Sequence, residues 1–147
     1  MTQRVAAIEL KIPDNAAFTA LVALRRLGLE IEQVRRCEIW RLDDSGDPQT
    51  FAQRVRANAA IFNPNKHRLT VLDDAQPRTG EAWVERRQEG NEVREHLGGK
   101  GIEGVTAAHR YVGWRLTVAG GVPARRETLR AAVEGLLCNP AIEKAVF

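Results

Sequence analysis

Gly99-Lys100-Gly101-Ile102-Glu103-Gly104 has the spacing of a dinucleotide-binding G-x-G-x-x-G motif. In that motif a strand runs into the glycines and a helix leaves them, so the pyrophosphate meets free N–H groups at the helix start. Here the order is reversed: Glu92 to Leu97 reads as a short helix, and strand-like alternation follows the glycines. The dinucleotide reading is rejected on that ground. A phosphate loop is rejected too, because Lys100 is followed by Gly101 and not by Ser or Thr. The stretch from Gly98 is read as a helix-to-strand loop whose lysine is free to meet a partner or a phosphate.

The other side chains that could do chemistry are scattered. His67, His96 and His109 have no metal-ligand spacing. Cys138 stands at the end of a helical pattern, whereas a reactive thiolate is favoured at a helix start, and Cys37 alternates with charged neighbours in a strand. Ser45 is the only serine and sits among acidic turn residues. Asp43, Asp44 and Asp47 lack the spacing of a calcium loop and read as a solvated turn. Trp40, Trp83 and Trp114 read as core or interface residues. No catalytic, metal-binding or cofactor-binding residue is assigned. The chain is expected not to be an enzyme by itself and to need no cofactor.

The elements that carry these residues follow from period and punctuation. Ala6, Ile8 and Leu10 alternate with charge as a strand. Pro13 breaks it, Asp14 or Asn15 caps a helix, and Phe18, Leu21, Val22 and Arg25, with Leu24, make its expected buried face, ended by Gly28. A strand through Trp40 and Leu42 follows, then the turn Asp43–Pro48, then a helix with Phe51, Val55, Ala59 and Phe62 on one face, stopped at Asn63-Pro64. Leu69 and Val71 close this half as a strand. After a polar linker at about residues 73–80, the pattern returns: a strand at Ala82–Val84, the short helix, a strand from Val112 to Val118, and a turn at Ala119–Pro123. A helix with Leu129, Val133, Leu136 and Leu137 then stops at Asn139-Pro140, and a last strand follows.

Each half therefore reads β-α-β-α-β. Trp40-Arg41-Leu42 recurs 74 residues later as Trp114-Arg115-Leu116, and Asn63-Pro64 recurs 76 residues later as Asn139-Pro140. Landmarks at nearly one offset argue for internal duplication, with repeats at 1–75 and 76–147. The match leaves Val55 opposite Ala131. The expected fold class is α+β, with helices on one face of antiparallel sheets and the two repeats packed as a pseudo-dimer.

Composition sets outer limits. The chain has 147 residues, 44% hydrophobic and 28% charged, which is the balance of a folded protein and not a disordered one. No apolar run reaches the roughly 18 residues of a membrane span, and the start lacks a signal-peptide core. With two cysteines in no disulfide or metal pattern, a reduced cytoplasmic location is expected. The net charge of +3 is spread over arginine pairs such as Arg35-Arg36, Arg86-Arg87 and Arg125-Arg126, and aromatic residues are few. Nucleic acid and membrane are therefore not expected partners.

Leu136-Leu137-Cys138-Asn139-Pro140-Ala141-Ile142-Glu143 resembles the C-terminal signature of PurS, the small subunit of phosphoribosylformylglycinamidine synthase. Leu10-Lys11-Ile12-Pro13, Leu27-Gly28 and Ile31-Glu32-Gln33-Val34-Arg35 echo further family segments, while Asp14-Asn15-Ala16-Ala17 departs from the family's Asp-Pro turn before the first helix. The positions that carry the motif are Lys11, Asn63, Pro64, Asn139 and Pro140. The resemblance implies a structural role for them. It also implies a non-catalytic accessory subunit of purine biosynthesis that bridges a large ATP-using synthetase subunit and a glutaminase subunit, with self-association as a homodimer left open. The second reading is a stand-alone regulatory module that binds a small ligand.

Overall fold

The computed structural model describes residues 1–87 and 96–147. Its order is β1 (Thr2–Leu10), α1 (Asn15–Arg26), β2 (Gln33–Asp44), a 3-10 turn (Pro48–Thr50) running into α2 (Phe51–Arg56), and β3 (His67–Leu72). Then come β4 (Glu81–Arg86), β5 (Val105–Val118), a short turn, the two-residue β6 (Val122–Pro123), α3 (Arg126–Ala132) and β7 (Glu143–Val146). The predicted helix at 92–97 lies outside the described residues except for His96 and Leu97, which are helical. The protein is α+β with an antiparallel sheet in the order β3-β1-β2-β5-β4-β7, and β6 pairs with β5. No helix among the described residues is long and apolar enough to cross a membrane.

The chain forms two compact units, and neither coincides with one half of the sequence. The first comprises Met1–Ile12, Glu38–Ala75 and Glu89–Arg110; the second comprises Pro13–Cys37, Gln76–Gln88 and Tyr111–Phe147. Each has its own core. In the first, Ala6, Ile8, Trp40, Leu42, Phe51 and Val55 pack with Leu97, Ile102 and Ala108. In the second, Ala17, Ala20 and Leu24 pack with Ala82, Leu116, Leu129, Ala132 and Leu137. The repeat boundary near residue 75 concerns element order along the chain; the units collect those elements differently.

Local chemistry explains the elements, with two corrections to the sequence expectations. Asp14 caps α1, accepting from the N–H groups of Ala16 at 3.0 Å and Ala17 at 3.3 Å. The buried face of α1 is Ala17, Ala20 and Leu24; of the expected face Leu24 is buried and Leu21 packs against the core in part, whereas Phe18 is 67% exposed. The i, i+3, i+7 spacing is helical in both cases, but the small residues allow closer packing and the aromatic faces outward. α2 is also shorter than expected. It ends at Arg56, and Ile61 and Phe62 are buried from turns beyond it.

The strand registers of the two halves correspond. β1 pairs Val5 with Arg41 and Ala7 with Thr70, while β4 pairs Glu81 with Arg115 and Trp83 with Val146. Subtracting gives 76 from β1 to β4 and from β3 to β7, and 74 from β2 to β5. Through the following helix and just past the end of α2 the buried residues still match at 74, Val55 with Leu129 and Asn58 with Ala132, so Val55 takes Leu129's position and not Ala131's. By Ile61 and Leu137, both buried, the offset is 76. The two added residues fall where α3 continues as a π-helical turn, Val133–Leu137. The matching stretch of the first unit, residues 59–61, is turns and not helix.

Candidate functional site

The motif positions singled out in the sequence lie at two similar corners. In the first unit Asn63 Oδ1 accepts from Asn65 N–H at 2.9 Å, and the Asn63 carbonyl accepts from Lys66 and His67 N–H groups. Lys11 Nζ donates to the Pro64 carbonyl at 2.7 Å. In the second unit Asn139 Oδ1 accepts from Ala141 N–H at 3.1 Å, and its carbonyl accepts from Ile142 and Glu143 N–H groups. Arg87 Nε donates to the Pro140 carbonyl at 3.0 Å. The N–H of each asparagine is taken by the side chain four residues on, His67 Nδ1 in one corner and Glu143 Oε1 in the other, both at 2.9 Å. Arg87, 76 residues after Lys11, is thus a corner residue, a role not assigned to it in the sequence. These bonds satisfy the backbone in the turns that lead into the last strand of each half. Asn63→Ala and Asn139→Ala are each expected to lower stability by about 1 kcal/mol, read as a fall in the urea midpoint at unchanged slope.

The acidic turn contains a buried charge node, which corrects the solvated reading of Asp44. Asp44 is the last residue of β2 and 1% exposed. Alternation places it on the face of Trp40 and Leu42, a signal visible in the sequence. Arg54 Nη1 and Nη2 each donate to it at 2.8 Å, Arg4 Nε at 2.9 Å and Gly46 N–H at 2.9 Å. The remaining Arg54 donors meet Thr50 Oγ1 and the carbonyls of Glu103 and Asp47. All four carboxylate acceptor sites and all five guanidinium donors are therefore engaged. The bond from Arg54, with help from Gly46 and Arg4, holds the Asp44 carboxyl well below the usual carboxylate range despite burial, and Asp44 in turn raises Arg54. A carboxylate so occupied cannot act as a proton acceptor near neutral pH; its chemistry here is to hold the loop.

The glycine stretch is the other side of this node. Gly98, Gly101 and Gly104 have positive φ, and a Cβ at Gly104 would stand 2.8 Å from Asp44 Oδ1. The carbonyls of Leu97 and Gly101 accept from Asn58 Nδ2, and Gly104's accepts from Ser45 N–H. The loop thus presents carbonyls to side chains of its own unit, opposite to the N–H cradle of a phosphate site.

Among the described residues no group of His, Cys, Asp and Glu is placed to hold a metal ion. His67 is used at the corner, and His96 meets Trp40 edge-on at 5.7 Å between ring centres. Burial, then the nearby Glu143, pushes the Cys138 thiol up, away from the thiolate a nucleophile needs. Glu81, 1% exposed, accepts from Trp83 Nε1 at 2.8 Å and Arg78 Nη2 at 3.0 Å.

The second unit contains an open cavity of about 750 Å³, lined by Arg25, Glu30, Glu32, Val118, Arg125 and Thr128 among others. That is within the roughly 300–1,000 Å³ of small-molecule sites. Arg25 shapes its wall, with Nε donating to the Ile31 carbonyl at 2.8 Å and Nη2 to that of Glu32 at 3.2 Å. A smaller cavity of about 400 Å³ near Gly80 has polar walls already committed, Arg78 to Glu81 and Arg126 to the Phe147 carbonyl. No spacing in the sequence announces the larger cavity, because its residues come from three separate segments. No known protein-family model matches the chain, and no curated protein shows significant similarity to it.

Proposed function

We propose that the chain is a tandem of two PurS-like units serving as a non-catalytic accessory subunit of phosphoribosylformylglycinamidine synthase in the cytoplasm. On this reading it bridges the synthetase and glutaminase subunits, which carry out the ATP-dependent, glutamine-dependent amidine formation, and the tandem is a covalent counterpart of a dimer. The observation that carries it is the pair of Asn-Pro corners. They repeat bond for bond at one offset, within halves whose strand registers also correspond. Affinity capture with the tagged full chain is expected to retain the large synthetase subunit when nucleotide and glutamine are present. Failure to retain it under those conditions would sink the proposal.

The cavity of the second unit favours a second reading, a regulatory module that binds a small ligand. The bridging role gives such a cavity no task of its own.

A further inference from the structure

The two units treat one position differently. By strand register, β2 and β5 correspond at an offset of 74, which sets Asp44 against Val118. The same offset carries into the next helix through buried Val55 and Leu129, and there it sets Arg54 against Thr128. In the first unit this place is occupied from within, by the Asp44 carboxylate in the fork of Arg54. In the second, Val118 and Thr128 border the open cavity. Arg125 on its rim has no ion pair or side-chain hydrogen bond among the described residues, and Arg25 uses only Nε and Nη2. Glu30 and Glu32 line the same cavity.

We propose that this cavity binds a free α-amino acid. Its carboxylate takes the part that Asp44 plays in the first unit, held by Arg125 and the remaining donors of Arg25, with Thr128 as a neutral donor beside them. Its ammonium is matched by Glu30 and Glu32. Two cations and two anions lining one cavity suit a zwitterion, whereas a phosphate ester would bring charge that the glutamates oppose. The inference rests on the small-ligand reading above and supplies its ligand class.

The test is calorimetric titration of the full chain with the standard amino acids, with the 2-oxo acids and amines of the same side chains, and with inorganic phosphate and adenosine monophosphate. At least one amino acid is expected to bind saturably, and its oxo acid and amine about tenfold or more weakly. Arg125→Ala should weaken binding by a similar factor. Val118→Asp combined with Thr128→Arg, which rebuilds the first unit's ion pair, should abolish it with the circular dichroism spectrum unchanged. If that double variant misfolds, Arg125→Ala, at an exposed position, carries the test alone. Equal binding of the oxo acid, or binding indifferent to Arg125→Ala, overturns the proposal. Binding of phosphate or the nucleotide but of no amino acid overturns it while leaving the small-ligand reading standing; no binding of any probe overturns both.

Discussion

Asp44→Asn is expected to destabilise the protein by about 3–5 kcal/mol at neutral pH, because removing one partner of a buried ion pair strands the other. The stranded groups are specific. Arg54 keeps its bonds to Thr50, Asp47 and Glu103 but loses its bidentate anion, and Arg4 loses its ion partner. The loss is a large fraction of the roughly 5–15 kcal/mol that holds a domain folded. It also has a pH signature. The folded-state carboxyl is held below its unfolded value, so its contribution is fully present above the ordinary aspartate range near pH 4 and is lost as pH falls toward the folded value. The gap between wild type and Asp44→Asn, measured by urea unfolding, should therefore be widest at neutral pH and shrink below about pH 4. A gap that stays constant to about pH 2.5 would show that Asp44 contributes through packing and not charge.

This node also marks the limit of what the sequence discloses. Alternation locates the strands and punctuation locates the corners, because both are set by a few adjacent residues. Asp44 escapes a reading by composition because Asp43 to Pro48 looks like a turn, although period two from Trp40 places its side chain inward. Phe18 misleads because hydropathy ranks it above alanine, while helix packing selects Ala17 and Ala20. The offset shift from 74 to 76 is countable in the sequence, but the π-helical turn at which it falls is a backbone event. Hydropathy tells which side chains are buried and not what they are buried against. It therefore cannot place α1, early in the chain, in a unit with α3 and β7, or bring Arg25 and Arg125 to one cavity.

Trp83→Ala is expected to cost about 3–5 kcal/mol through lost burial and the cavity left behind. Trp83 is 2% exposed, its ring lies 5.5 Å from that of Tyr111 between centres, and its backbone pairs in β4 with both β5 and β7. Packing is only part of its role. Its indole N–H donates at 2.8 Å to Glu81, a carboxylate 1% exposed whose side-chain partner besides is Arg78. Trp83→Phe keeps most of the apolar volume and removes that donor. It should cost about 1.5–3 kcal/mol, the range for a hydrogen bond to a charged group. Combining it with Glu81→Gln separates the two contributions. If the charge-assisted bond dominates, the double variant will be less destabilised than the sum of the single changes, because the neutral amide that replaces the carboxylate leaves no charge stranded. Additive losses in the double-mutant cycle, read from urea midpoints, would assign the effect of Trp83 to packing alone.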